Sequence, residues 1–192
     1  MLWDSIRLAV AAGDRAAVFL LATKVEDARG WNVAERAAIA CAAVEALVAF
    51  GHLEEAHQAA AALDELGKAA AADRDFLAGR LASADGDHQR ASDLLRAAAG
   101  YFDEVEHRNE AWRARWRLAE SLAAMGDLEA GRVELETILS EARDADHPLY
   151  MRLASDALLA LGFTVPPTSA RDRTGLSAPP PGRGRGRVGD PR

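Results

Sequence analysis

His52 and His57 flank the pair Glu54-Glu55, and histidines set among glutamates are raw material for a zinc site. A zinc-protease helix needs its two histidines four residues apart, so that both rings leave one face. The five-residue step here turns them to different faces. His88, His107 and His147 have no partners at ligand spacing, so all five read as surface histidines and no metal is expected. Gly67-Lys68 lacks the upstream glycine and the Ser/Thr of a phosphate-binding loop, and no strand precedes it. Cys41, the only cysteine, sits among Ala40, Ala42 and Ala43, where it reads as a small buried hydrophobe and not as a nucleophile. Carboxylates are plentiful, but no two are paired inside an apolar pocket. The sequence therefore predicts no enzyme and no cofactor.

The residues that remain are those of recognition. The segment Trp112-Arg113-Ala114-Arg115-Trp116 concentrates the two side chains most often found as interface anchors. Whether they meet other such groups depends on the elements that carry them.

Those elements are helices. Alanine runs at 59–62, 69–72 and 97–99 favour closely packed helices, because alanine loses no side-chain entropy on becoming helical. No stretch alternates apolar and polar residues with a period of two, so strands are not expected. Gly13-Asp14, Gly51-His52, Gly86-Asp87, Gly126-Asp127 and Gly162-Phe163 each close an apolar helical stretch, at intervals of 38, 35, 40 and 36 residues. Regular punctuation at this length marks stacked helical hairpins. Glycine takes the left-handed conformation that ends one helix, and aspartate caps the N–H groups that open the next. The helices predicted are 2–12, 15–29, 33–50, 53–66, 70–84, 88–106, 110–125, 128–144 and 148–161. Asn32 with Glu35 forms a capping box in this reading, and Pro148 suits a first helical turn. Leu53, Ala56, Ala60 and Leu63 are assigned to one apolar face, and Ala91, Leu94, Ala98, Tyr101 and Val105 to another.

The segments GHLEEA (51–56), GDHQRA (86–91) and GDLEAG (126–131) resemble the turn of the tetratricopeptide repeat, with its small residue five places after the glycine. Gly79 and the pair Leu118-Ala119 match the small-residue signature of that repeat's first helix. Ala98 matches the small residue of the second helix, where Leu63 and Ile138 depart from it. The proline that commonly closes such a repeat is present only as Pro148. The resemblance covers about residues 34–162 and implies an all-α, TPR-like α-solenoid of about four antiparallel hairpins plus a closing helix. Its longer, irregular repeats look like the C-terminal helical-repeat arm of MalT-like members of the LuxR family of bacterial regulators. In those proteins a helix-turn-helix domain would follow. Gly175-Leu176-Ser177-Ala178 resembles a lead-in to it, but Pro179-Pro180-Pro181 cannot continue as helix.

Stacked hairpins display the first helix of each pair along a concave groove. Counting back equally from each turn glycine yields two columns: Trp3, Cys41, Phe76, Trp116 and Arg152, and beside them Arg7, Glu45, Arg80, Glu120 and Asp156. Arg113 joins them one turn before Trp116. Aromatics mixed with alternating charge suit capture of a peptide or a helix of a partner protein. The competing reading makes the aromatics core and the charges a solvated face. The leading function is thus a protein-interaction module. The alternative is the sensory arm of a LuxR-type transcriptional regulator separated from its DNA-binding domain, and an enzyme is the third class.

Charge narrows the partners. Residues 166–192 hold six arginines and two aspartates, while the whole chain carries −7, so residues 1–165 are strongly acidic. An acidic body repels phosphates, and the Arg-Gly run from Gly182 to Arg187 has no interleaved aromatic to stack on bases, so nucleic acid is not expected. The division expected is a helical-repeat domain over 1–165 and a disordered basic tail over 166–192. The first helix opens with Leu2, Trp3, Ile6 and Val10 apolar, which predicts an exposed edge that self-associates or docks on another protein. No signal peptide or membrane span is read, and a cytoplasmic location is the default.

Overall fold

A computed structural model describes residues 32–61, 63, 67 and 70–165. The sequence expectations for helices 2–12 and 15–29, the turn at Gly13, the apolar N-terminal edge and the tail from Pro166 lie outside these residues. Seven helices, and no strand, occur among the described residues: α1 (Val33–Ala49), α2 (Leu53–Ala61), α3 (Ala71–Ala84), α4 (His88–Glu104), α5 (Arg108–Ala124), α6 (Leu128–Asp144) and α7 (Pro148–Ala160). No described helix is long and apolar enough to cross a membrane.

Local chemistry sets these boundaries. Asn32 Oδ1 accepts from the Glu35 N–H at 2.9 Å and the Glu35 carboxylate accepts from the Asn32 N–H at 3.0 Å, closing the capping box that starts α1. Asp87 and Asp127 cap α4 and α6 by accepting from the N–H groups of Arg90 and Ala130, each at 3.1 Å. Pro148 opens α7.

The helix ends repeat one device. Asp87 N–H donates to Ala82 O, His107 N–H to Phe102 O, Asp127 N–H to Leu122 O and His147 N–H to Ala142 O, at 2.8–3.0 Å. Such a wrapped end needs a left-handed residue just before the donor. Gly86 and Gly126 supply it at φ +86°, whereas Glu106 and Asp146 adopt it without being glycine, at φ +59° and +50°. The four residues stand 20 apart, so between Gly86 and Asp146 each helix with its turn occupies 20 residues. Of the two turns in between, which carry no glycine, the sequence reading placed the second, ending one helix at 144 and opening the next at 148, and misplaced the first. It ran α4 on to 106 and opened α5 at 110, where the helices end at Glu104 and start at Arg108. α2 ends at Ala61, short of the expected 66, and only Leu63 and Gly67 are described between it and Ala70.

Each helix packs on the helices before and after it, and alternate helices also meet, α1 with α3 and α3 with α5. α5 and α7 stand further apart. The apolar face of α4 differs from the one expected. The buried stripe is Ala91, Leu95, Ala98 and Phe102, while Tyr101 is 51% and Val105 38% exposed. Both stripes run through Ala91 and Ala98, and packing on α3 and α5 selects the one that buries Leu95 and Phe102.

Small residues sit where helices come closest. A Cβ on Gly79 would stand 2.7 Å from Leu95 Cγ, and one on Gly131 3.1 Å from the carbonyl oxygen of Ala119. Ala56, Ala91 and Ala98 are fully buried. Two apolar clusters result. The larger runs from Val44 and Leu47 through Phe76, Leu77, Leu95 and Phe102 to Leu118. The smaller gathers Trp112, Leu135, Ile138, Leu139 and Leu158. α5 contributes to both.

Candidate functional site

α1, α3, α5 and α7 carry the expected columns, with Trp3 and Arg7 outside the described residues. Glu45 on α1 and Arg80 on α3 form a nearly buried ion pair, Nε to Oε1 at 2.7 Å, and Arg80 Nη1 lies 4.0 Å from Glu120 on α5. So Glu45, Arg80 and Glu120 do meet across three helices.

Arg117, which the column count did not select, completes the cluster. It ion-pairs with Glu45 and lies 2.9 Å from Glu120. The missed signal is helical: Arg117 stands four residues after Arg113 and three before Glu120, on the same stripe. Burial alone would raise the Glu45 pKa, but Arg117 and Arg80 outweigh it and hold the carboxyl below its ordinary value. Burial likewise opposes the charge on Arg117, and Glu45 and Glu120 overcome it. In Arg80 burial prevails, and its pKa is lowered. Two carboxylates and two guanidiniums neutralise one another here in a largely buried cluster, which differs from the solvated face of charges that the competing reading expected.

Above this cluster lies a second group. Cys41 is fully buried, and its thiol donates to Asp73 Oδ1 at 3.7 Å. Burial is the largest cause pushing the thiol pKa up to about 12. The Asp73 pKa is also raised, chiefly by burial. The Arg113 guanidinium stacks on the Phe76 ring at 4.4 Å from its centroid, and its Nε has no hydrogen-bond partner among the described residues. Phe76 is completely buried and cannot touch a partner. It is core, and serves as the platform for Arg113.

The Trp-Arg segment divides in the same way. Trp112 is buried, donates Nε1–H to Glu141 Oε2 at 2.7 Å and packs edge-on against His147 and Tyr150. Arg115 pairs with Asp103 and, at 3.1 Å, with Glu134. A helix turns about 100° per residue, so Trp112 and Arg115 leave other faces of α5, and only Arg113 and Trp116 reach the column surface.

Where α5 and α7 separate, a groove of about 340 Å³ opens. Trp116 and Glu120 line it from α5, buried Leu135 from α6, and Leu153, Asp156 and Leu161 from α7. Arg117 stacks on the Trp116 ring at 4.3 Å from its centroid. Asp156 is exposed and makes no ion pair among the described residues. Arg152, one turn earlier on α7, is exposed but does not line the groove. The column surface thus ends in an apolar cleft with acids at its rim, which the sequence reading did not single out.

The histidines serve locally. His52 Nδ1 lies 3.8 Å from Glu55, and His57 Nε2 3.2 Å from Asp85 beside the α3–α4 turn. No cluster of three or more His, Cys, Asp or Glu that could hold a metal ion occurs among the described residues. Compared with known families and curated proteins, the chain matches no family model and no curated protein.

Proposed function

We propose that this chain is a protein-interaction module, a TPR-like array of helical hairpins that holds a peptide or helix of a partner along the surface of its first helices. The observation that carries the reading is the shared surface itself. Residues 35–40 positions apart in sequence meet side by side as Glu45, Arg80 and Glu120, and the surface ends in an open apolar groove beside Trp116. Partly exposed tryptophan beside apolar side chains, with charges already fixed by ion pairs, is the arrangement of a preorganised binding face. The buried small residues at helix crossings, Ala56, Gly79, Ala91 and Gly131, support the repeat reading, because stacked hairpins require close approach at one fixed place per repeat.

The test is capture of partners by the tagged chain, with an Arg113→Gln/Trp116→Ala double variant alongside. Proteins retained by the wild type and lost by the variant, with helicity unchanged, are the expected result. An unchanged set of captured proteins from a folded variant would overturn the reading.

A further inference from the structure

We infer that the α5–α7 groove receives a basic, apolar segment of a partner protein: a leucine-sized side chain entering the cleft, with an arginine or lysine beside it on Asp156. The inference rests on the interaction reading above and names the chemistry of the partner at one end of that surface.

Three observations converge. The groove walls are apolar, with Leu135 at the base and Leu153, Leu161 and Trp116 at the sides, so the space takes an aliphatic side chain and releases water from both. About 340 Å³ is room for one or two such side chains and not for a whole helix. The charged residues that line it, Glu120 and Asp156, are both acids, with no cation among the lining residues. Glu120 is already held by Arg117, at 2.9 Å. Asp156 is exposed and unpaired among the described residues, so it is the carboxylate left to receive a cation from outside.

The remaining column charges cannot compete for that cation, since Glu45, Arg80, Arg117 and Glu120 neutralise one another. An acidic segment would meet Asp156 as a like charge, while the nearby Arg117 is already engaged by Glu45 and Glu120. A neutral apolar segment would fill the cleft but leave Asp156 unanswered. Charge complementarity therefore selects the basic occupant.

The test uses the full chain and three synthetic octapeptides titrated by calorimetry. One carries a leucine flanked by arginines, one replaces the arginines by glutamates, and one replaces the leucine by alanine. The arginine–leucine peptide is expected to bind, and each of the other two to bind about tenfold more weakly or worse. Asp156→Arg should weaken the first peptide by about the same factor, since it replaces attraction by repulsion at an exposed position. Ala160→Trp, which fills the cleft from an exposed lining position, should abolish binding without lowering the melting temperature.

Equal binding of the glutamate peptide, or an Asp156→Arg variant that binds as the wild type does, would overturn the inference. So would tighter binding of the arginine–leucine peptide after Arg171, Arg173 and Leu176 are replaced by serine, which would assign the cleft to the chain's own basic tail. A self-association lost in Asp156→Arg would assign it to a second copy and overturn it equally. If partner capture fails in the Arg113→Gln/Trp116→Ala variant while these peptides do not bind, the interaction reading stands and only this inference falls.

Discussion

At the scale of single residues, burial decides which reactive-looking groups can react. The Cys41 thiol, with its pKa near 12, carries almost no thiolate at neutral pH, and thiolate is the reactive form. In native protein at pH 8, reaction with a disulfide reagent should therefore run at least about a hundredfold slower than for an open thiol, becoming complete on unfolding. Reaction at the free-thiol rate in folded protein would contradict the burial. Asp73 and Glu45 make an opposed pair. Asp73 has a raised folded pKa, so its ionisation costs stability once pH rises above its unfolded value near 3.9. Asp73→Asn should raise the melting temperature at pH 7, with the gain vanishing below about pH 3. Glu45 has a depressed folded pKa, so its contribution is present above about pH 4.3 and fades as pH falls through the folded value. Glu45→Ala should cost roughly 3 kcal/mol at pH 7, because it leaves Arg80 and Arg117 largely buried without their partner. Melting curves from pH 2.5 to pH 7 would check both signs.

At the scale of elements, the turns hold a strain that the sequence disguises. Glu106 and Asp146 occupy left-handed backbone where glycine sits at the equivalent points of the neighbouring turns, Gly86 and Gly126. A side chain there costs about 1 kcal/mol, which glycine relieves at some expense in unfolded-chain entropy. Glu106→Gly and Asp146→Gly should each stabilise the chain by up to about 0.5 kcal/mol, and Gly86→Ala should destabilise it by about 1 kcal/mol. Denaturant midpoints at constant slope are the measurement. A marked loss of stability in both glycine variants would mean that the side chains do more than tolerate the turn. The same turns explain which part of the helix pattern was legible. Asp87, Asp127 and the Asn32–Glu35 box announce helix starts by side-chain chemistry. The end at Glu104 has neither a glycine nor a following proline to mark it and was placed two residues late, whereas Pro148 marks the start that follows the end at Asp144.

At the scale of the whole molecule, two apolar clusters share α5 and little else. Most packing is between consecutive helices, so damage to one cluster should stay largely within it. Trp112 anchors the second cluster through Glu141, His147 and Tyr150. Trp112→Ala should cost about 3–5 kcal/mol there and raise amide exchange across α6 and α7. α1 to α4, whose core is the first cluster, should keep much of their protection. Uniform loss of protection along the chain would show instead that the two clusters unfold as one. The α5–α7 groove belongs to this same C-terminal unit, so the variant should also weaken whatever the groove binds.

The sequence by itself determined that the described residues are helical, where most of their helices begin, and that Glu45, Arg80 and Glu120 come side by side. Those properties depend on local propensity, on capping side chains and on spacing that a helix converts directly into direction. Tertiary structure decided the rest. Which of two stripes on α4 is buried depended on the neighbouring helices, because both stripes were apolar enough to serve. Phe76 and Trp112 went to the core while Trp116 stayed at the surface, although all three read alike as aromatic anchors in sequence. Arg117 entered the central ion cluster because α1 stands opposite it, 72 residues away in sequence. The groove with Asp156 among its lining residues is built jointly by α5, α6 and α7, an arrangement that no spacing within one helix encodes.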